Sequence, residues 1–228
     1  MASKIISFVH KDKIVDLKKF DPNDTLLNYI RTKLKKIGTK EGCAEGGCGA
    51  CTVVIGELKN NKINYKAINS CITFLPTLQG KQLITVEDLV SESGLLHPVQ
   101  TAMVNYHGSQ CGFCTPGFVM SLFSLFKNFS KFKDDEIKDS ISGNLCRCTG
   151  YQPIIKAAKS LKNKNKIDHF NKNQKNTIDL LKQINNRSIY FYKKDKKYFA
   201  PRYIQELKKI IKKDRNINFL SGGTDLSL

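Results

Sequence analysis

The sequence predicts an α+β protein in which a small sheet comes first and a group of helices follows. Two observations carry this prediction: strand-like apolar patterns dominate as far as residue 88, and apolar residues at helical spacing begin near residue 97. With 228 residues, the chain has room for one large domain or two small ones. Apolar residues make up 40% of it, which is enough for real cores and excludes global disorder.

The first part of the chain predicts the element order ββαβββ. Five strands are expected, four of them as two hairpins, over residues 4–9, 13–17, 52–58, 62–68 and 83–86. Between the hairpins, apolar residues from Leu26 to Ile37 fall on one helical face and predict a helix. Asp24 can cap the start of this helix, and Gly38 is expected to end it.

The second part predicts four helices. Their starts are marked by Pro98, Pro116, Asp134 and Pro153. Phe118 to Phe126 lie in the second of them and are more consistent with a core than with a cofactor site. The polar, lysine- and asparagine-rich stretch that follows is expected to be a flexible linker, with order returning near Ser188. The predicted domains are therefore 1–88, 89–162 and 188–228, with the linker over 163–187.

The charge balance is strongly basic, with 38 Lys and Arg against 20 Asp and Glu, for a net charge of +18. A nucleic-acid footprint would cluster on one face, but these lysines are spread along the chain, so we expect solvated surfaces and no nucleic-acid partner. No apolar run reaches the roughly 20 residues of a membrane-spanning helix, so no membrane is expected. The first residues, Met1 to Lys4, do not begin a signal peptide, and we expect a cytoplasmic protein.

Eight cysteines in a cytoplasmic chain favour metal or redox chemistry over disulfides. The first four, Cys43, Cys48, Cys51 and Cys71, have the spacing C-x4-C-x2-C with a distant fourth member. This is the spacing of plant-type [2Fe–2S] ferredoxins. The glycines of the loop allow backbone N–H groups to approach sulfur. A zinc site, which usually shows paired C-x2-C knuckles, is the alternative.

The second quartet is ambiguous on spacing alone. Its members form a C-x2-C pair and a C-x-C pair, Cys111 with Cys114 and Cys146 with Cys148. Zinc, a redox pair and an iron–sulfur cluster all remain open for this pattern. Both halves are expected at helix N-termini, which stabilise thiolates, and Arg147 adds positive charge between two of the cysteines.

Four segments carry a resemblance to a known family. They are residues 39–53 (TKEGCAEGGCGACTV), 96–100 (LHPVQ), 108–120 (GSQCGFCTPGFVM) and 143–153 (GNLCRCTGYQP). Together they resemble the iron–sulfur part of the molybdenum hydroxylases, and within that family the small subunits of bacterial xanthine dehydrogenases. The resemblance implies a β-grasp ferredoxin-like domain followed by an all-α helical-bundle domain, each with one [2Fe–2S] cluster. It also implies that Gln110 and Cys148 lie near the molybdopterin of a partner subunit.

The end of the chain resembles the start of the family's FAD-binding α+β domain. The resemblance rests on residues 200–207 and 218–226, where a Gly-Gly-Thr loop would hold the flavin pyrophosphate through backbone N–H groups. The implied contacts are Leu220, Ser221, Gly222, Gly223, Thr224 and Asp225. On sequence alone the same residues are equally a turn. Because the chain stops at Leu228, the rest of the FAD domain is expected elsewhere, and flavin binding by this chain alone is doubtful.

The resemblance implies an oxidoreductase subunit that carries electrons rather than catalytic residues. A purine would be hydroxylated at molybdenum on a large partner subunit. Electrons would then pass through the cluster of the helical domain and that of the ferredoxin domain to FAD and NAD. The alternatives are an aldehyde, carbon monoxide or aromatic-heterocycle dehydrogenase of the same superfamily and, more remotely, a basic zinc protein that binds nucleic acid.

Overall fold

The first part of the chain folds into one five-stranded sheet in the computed structural model, which describes residues 4–162, 167–184, 188–193 and 196–228. The strands are β1 (Ile6–His10), β2 (Lys13–Leu17), β3 (Thr52–Lys59), β4 (Lys62–Asn69) and β5 (Gln82–Ile84). Their order is β2-β1-β5-β3-β4, with β1 and β5 parallel and every other pair antiparallel. The predicted α+β class is confirmed, and the mixed sheet has the arrangement of a β-grasp fold.

The helix between the hairpins is shorter than predicted. Helix α1 (Leu26–Asn28) continues as a π-helical turn (Tyr29–Lys33) and stops there. Lys35 adopts a left-handed backbone conformation, with φ +57°, which turns the chain out of the helix before Gly38. Ile37 is consequently 63% exposed rather than on the buried face. The prediction of a helix as far as Ile37 was wrong.

The cap of α1 also differs from the prediction. The Thr25 hydroxyl accepts a hydrogen bond from the Asn28 backbone N–H at 3.1 Å, so Thr25 and not Asp24 is the N-cap residue. The Asp24 carboxylate instead accepts from the Asn28 side-chain amide at 3.1 Å. The capping position therefore lies one residue later than the sequence suggested.

The four predicted helices of the second part are all present. They are α2 (Pro98–Asn105), α3 (Thr115–Asn128), α4 (Asp134–Ile141) and α5 (Gln152–Ser160). The phenylalanines of α3 are buried, as expected of core residues. Tyr106, which continues the apolar spacing of α2, follows the helix as its C-cap and is 42% exposed.

Sheet and helices share one hydrophobic core. Helix α3 crosses β3 and β4, and Phe118 and Phe123 are buried in the same cluster as Val54 and Tyr65. The rings of Tyr65 and Phe123 meet edge to face at 5.9 Å. Ser124 at the same interface donates a hydrogen bond to the Tyr65 carbonyl at 2.9 Å. The sheet and the helices are therefore packed as one body, which fixes the position of any site on one relative to a site on the other.

The segment predicted as a linker contains two helices. These are α6 (His169–Lys172) and α7 (Gln174–Gln183), and α7 contacts β1 and β4. Leu181 and Ile184 belong to the shared core, and Ile178 packs against it. The apolar residues 178, 181 and 184 repeat at helical spacing, but the segment is polar on average. Its composition therefore suggested a flexible linker where the structure has a helix. The prediction of a flexible connector was wrong for residues 167–184, while 163–166 and 185–187 lie outside the described residues.

A buried polar network ties α6 to the helical part. Asp168 lies 2.9 Å from His97 Nε2 and 2.9 Å from Lys127 Nζ, with all three side chains at most 5% exposed. The same carboxylate accepts from the Asn171 backbone N–H at 2.8 Å and so caps α6. His97 Nδ1 accepts from the Val99 backbone N–H at 3.2 Å. The imidazole proton therefore sits on Nε2, and neutral His97 bridges α2 and α6.

We expect the stability of the chain to fall with acid as His97 titrates. Burial lowers the pKa of His97, and the charge of Lys127 adds to this against the opposing effect of Asp168. Because the folded pKa lies below the unfolded value of about 6.5, His97 contributes full stability above that pH and loses it as the pH falls. Urea unfolding of wild type between pH 8 and pH 5 should show this decline, and His97→Asn, which can keep the cap without a titrating ring, should lack it. If the free energy of unfolding fell equally with pH in both proteins, the decline could not be attributed to His97.

The end of the chain regains order at Ser188, as predicted. A hairpin of β6 (Ile189–Lys193) and β7 (Lys196–Ala200) precedes α8 (Ile204–Lys213). Phe191 stacks on Phe20 with ring centroids 4.1 Å apart, so the hairpin covers the sheet face opposite α3. Within the described ranges, no helix is long and apolar enough to cross a bilayer.

Candidate metal centres

The first cysteine quartet converges at one end of the sheet. Cys51 immediately precedes β3 and Cys71 follows β4, and the pairing of Thr52 with Asn69 brings those strand ends together. The sulfurs of Cys51 and Cys71 are 3.3 Å apart and buried. Their contact lowers the pKa of Cys51, while the same contact and burial raise the pKa of Cys71. The remaining members, Cys43 and Cys48, are partly exposed on the loop in front of β3.

Backbone N–H groups of that loop point at Cys43. Its sulfur accepts from the N–H groups of Glu45, Gly47 and Cys48 at 3.5, 3.3 and 3.3 Å. Burial raises the pKa of Cys43, but these donors outweigh it and leave that pKa below the ordinary thiol value. The loop makes this possible because Gly46 adopts a positive φ of +78°. The expectation that the glycine-rich loop brings N–H groups to sulfur is confirmed at Cys43.

The second quartet lies at two helix N-termini, as predicted. Cys114 is the N-cap residue of α3, and Cys148 lies just before α5. Cys111 and Cys148 are exposed, whereas Cys114 and Cys146 are half-buried. Burial and the contact with Cys146 raise the pKa of Cys114 to about 12. The contact with Cys111 raises the pKa of Cys148.

Two residues that the sequence analysis assigned no role hold Cys146 in place. The Thr149 hydroxyl lies 3.1 Å from the Cys146 sulfur, and the Thr149 N–H donates to the same sulfur at 3.5 Å. Burial raises the pKa of Cys146, but the hydroxyl and N–H of Thr149 outweigh it and lower that pKa. The Tyr151 hydroxyl accepts from the Cys146 backbone N–H at 3.0 Å. The sequence signal that could have identified Thr149 and Tyr151 is their position directly after the C-x-C pair.

The cysteines of both sites lie in neighbouring pairs. The sulfurs of Cys51 and Cys71 are in contact at 3.3 Å, while Cys43 with Cys48, Cys111 with Cys148, and Cys114 with Cys146 are close enough to influence each other's pKa. A [2Fe–2S] cluster takes four cysteines, two on each of its irons, whereas a structural zinc ion gathers four ligands around one centre. The donor set of each site therefore fits a two-iron cluster.

Gln110 lies at the open side of the second site, next to Cys111, and is exposed. Within the described part of the chain its side chain forms no hydrogen bond, so it does not cap local backbone. Phe113 and Leu145, which directly precede Cys114 and Cys146, are 47% and 57% exposed. The second site thus opens to the surface between a free amide and apolar side chains.

The loop that the resemblance assigns to flavin lies elsewhere, against the first site. Of its residues, Leu220, Ser221, Gly222, Thr224 and Asp225 are exposed. Gly223, with φ +74°, is buried, and a Cβ atom on it would lie 2.7 Å from the carbonyl oxygen of Ile72. Ile72 directly follows Cys71. The structure therefore places this loop beside the first quartet and does not bring it together with Gln110.

Two family comparisons agree with this geometry. Residues 15–76 match the 2Fe-2S iron-sulfur cluster binding domain, and residues 85–159 match the [2Fe-2S] binding domain. Fold and sites together define a protein with two [2Fe–2S] domains, a ferredoxin-like one followed by a helical one.

Sequence relatives identify the family to which the chain belongs. The chain is 47% identical over 160 residues to xanthine dehydrogenase of Calliphora vicina and 46% identical over 161 residues to aldehyde oxidase 1 of Oryctolagus cuniculus, covering 69% and 70% of this chain. It spans only 12% of the length of either relative. The chain belongs to the molybdenum hydroxylase family and corresponds to the iron–sulfur region of these oxidoreductases.

The structural matches lie in the same family. Quinoline 2-oxidoreductase from Pseudomonas putida 86 superposes with a TM-score of 0.57 at 28% identity, over 78% of this chain and 96% of that one. Aldehyde oxidoreductase from Desulfovibrio gigas superposes with a TM-score of 0.60 at 29% identity, over 77% of this chain and 18% of that one. The arrangement of sheet and helices is thus shared with structures that differ in the substrate they are named for.

Proposed function

We propose that this chain is the electron-transfer part of a molybdopterin-dependent dehydrogenase of the xanthine dehydrogenase type. In this proposal Cys43, Cys48, Cys51 and Cys71 hold one [2Fe–2S] cluster, and Cys111, Cys114, Cys146 and Cys148 hold the other. The observation that carries it is the convergence of each quartet: the sulfurs of Cys51 and Cys71 meet at 3.3 Å beside the loop whose N–H groups are directed at Cys43, and the second quartet lies at two helix N-termini. When bound, such clusters accept and release single electrons.

The exposure of the two sites supports a direction of transfer. Cys111 and Cys148 are open to the surface beside the unbonded amide of Gln110, which suits contact with the molybdopterin of a large partner subunit. Cys51 and Cys71 are buried, and the loop around Gly223 packs next to them. We therefore infer that the second site faces molybdenum and that the first lies on the flavin side.

Residues 188–228 would form the start of an FAD-binding domain, whose exposed Leu220 to Asp225 loop offers backbone N–H groups to a pyrophosphate. The remaining partners are the rest of that domain and NAD as the acceptor.

A purine is our preferred substrate class, and an aldehyde is the second candidate. The identities to xanthine dehydrogenase and to aldehyde oxidase 1 are 47% and 46%, so this region does not distinguish the two. That is expected, because the residues described here relay electrons and do not touch the substrate.

The chain's own residues would make the two clusters electronically distinct. At the first site three backbone N–H groups donate to Cys43, whereas at the second the hydroxyl of Thr149 lies against Cys146. Hydrogen bonds to the sulfurs and solvent exposure both tune the potential of a cluster. The half-buried first site and the open second site should therefore differ in reduction potential.

Removing one cysteine from each site tests the assignment. In the assembled enzyme, we expect Cys43→Ala to abolish one of two EPR signals and Cys114→Ala to abolish the other. Substrate should still reduce the remaining cluster of Cys43→Ala, because the second site is upstream, whereas neither variant should pass electrons to flavin at the wild-type rate. Rapid-mixing absorbance and EPR measure both effects.

Two results would contradict the proposal. Loss of both signals in either variant, with the fold retained by circular dichroism, would overturn the division into two quartets. Wild-type flavin reduction by substrate in Cys114→Ala would show that the second site does not lie on the electron path.

A further inference from the structure

The two cysteine loops are joined directly by a backbone hydrogen bond. The N–H of Leu145 donates to the carbonyl oxygen of Cys48 at 2.9 Å. Leu145 immediately precedes Cys146, so this bond connects a residue of the first quartet to the neighbour of a residue of the second. The contact spans nearly a hundred residues of sequence, and local propensity cannot produce it.

Asn144 holds this junction from inside the protein. It is 3% exposed, and its side-chain amide donates to the Gly49 carbonyl at 3.0 Å and to the Thr52 hydroxyl at 3.2 Å. Its side-chain oxygen accepts from the Ser121 hydroxyl of α3 at 2.6 Å. One buried side chain thus ties the first cysteine loop, the start of β3 and α3 together. A satisfied buried network of this kind specifies one geometry, because any displacement leaves a buried polar group unpaired.

Glycines bring the loops into contact at this point. A Cβ atom on Gly117 would lie 2.2 Å from the Gly49 carbonyl oxygen, so α3 packs directly on the backbone of the first loop. Gly49 has φ +70°, and a Cβ on it would lie 2.3 Å from the Gly143 carbonyl oxygen. The approach of the two sites is therefore built into the backbone, and Asn144 lies at its centre.

We propose that Asn144 is a positioning residue that fixes the separation and orientation of the two cysteine sites, and so sets the coupling between the centres they hold. This rests on the proposed function, since coupling requires that both sites be filled. The physical reason is that both the magnetic exchange coupling and the rate of electron tunnelling between two redox centres fall steeply as their separation grows. The hydrogen bond from Leu145 to Cys48, held in place by the neighbouring Asn144 amide, connects the two quartets directly through the backbone.

The test compares Asn144 with Asn128, a second asparagine that joins helix α3 to the sheet. Asn128 binds the Tyr65 backbone through both side-chain atoms and joins α3 to β4, as Asn144 joins α3 to β3. Asn128 lies at the far end of the 14-residue helix α3, roughly 20 Å from the end near Cys114. We expect Asn144→Ala to reduce the magnetic splitting between the two reduced clusters in low-temperature EPR, and Asn128→Ala to leave it at the wild-type value.

A second readout does not depend on the clusters. In the chain without metal, the Leu145 amide should exchange with deuterium faster in Asn144→Ala than in wild type or in Asn128→Ala. Should Asn144→Ala fail to fold, Ser121→Ala, which removes only the group that orients the Asn144 amide, should show both effects in weaker form.

The possible results distinguish failure of the positioning role of Asn144 from failure of the proposed electron-transfer function. Wild-type splitting and wild-type Leu145 exchange in Asn144→Ala, or equal changes in Asn144→Ala and Asn128→Ala, would overturn the positioning role while leaving the proposed function intact. The absence of both cluster signals from the wild-type protein would overturn the proposed function, and this role with it.

Discussion

Replacing Asp168 with alanine is expected to lower the free energy of unfolding by about 3–5 kcal/mol, the cost of removing one partner from a buried ion pair. The carboxylate is 3% exposed and lies 2.9 Å from Lys127 Nζ, whose side chain is 5% exposed. Without Asp168, the Lys127 ammonium would remain buried without its counter-charge, and the N–H of His97 Nε2 would lose its acceptor. The cap of α6 would be lost as well.

Asp134→Ala is the matched control for this prediction. Asp134 also contacts two lysines, Lys159 at 2.7 Å and Lys162 at 2.5 Å, but its side chain is 46% exposed. Solvent screens such a pair, so its loss should change stability little. Urea unfolding at neutral pH compares the two variants. If Asp168→Ala were as stable as Asp134→Ala, the buried network would not anchor residues 167–184 as the structure indicates.

Gly117→Ala is expected to destabilise the chain by about 2 kcal/mol or more, as overpacking at a rigid contact does. The new Cβ would lie 2.2 Å from the Gly49 carbonyl oxygen, a backbone atom that cannot rotate away. Alanine is favoured over glycine in a helix by only about 1 kcal/mol, so propensity does not compensate. Relief requires α3 or the first cysteine loop to shift, and we expect the first site to load its cluster incompletely.

Gly143→Ala provides the contrast. Gly143 neighbours the same junction, yet a Cβ atom there would have no heavy atom within 4 Å. It should therefore fold and load both clusters like wild type. Thermal unfolding and the visible absorbance per chain measure the two variants side by side. Wild-type stability and absorbance in Gly117→Ala would mean that α3 does not press on the first loop.

The parts of the fold that the sequence predicted are those with a strong local signal. Alternation gave the hairpins of the sheet, and prolines with apolar spacing gave α2 to α5, because these patterns act within a few residues. The C-x4-C-x2-C spacing likewise identified the first site, since three of its members share one loop.

The parts that were missed depend on contacts between distant residues. Helix α1 stops early because Lys35 turns the chain, which its apolar pattern did not show. Residues 167–184 look polar on average, but Leu181 packs into a core supplied by other elements, and Asp168 meets His97 across 71 residues. Asn144 was visible within a recognised segment, but its role emerges only when Gly49, 95 residues away, comes into contact. Propensity does not carry information of this range.

The metal content of the purified chain tests the central claim most directly. Two [2Fe–2S] clusters on the eight cysteines require about four irons and about four acid-labile sulfides per chain. We therefore expect anaerobically purified protein to be red-brown and to contain iron and sulfide in equal amounts near that value. Stoichiometric zinc without labile sulfide would contradict the account.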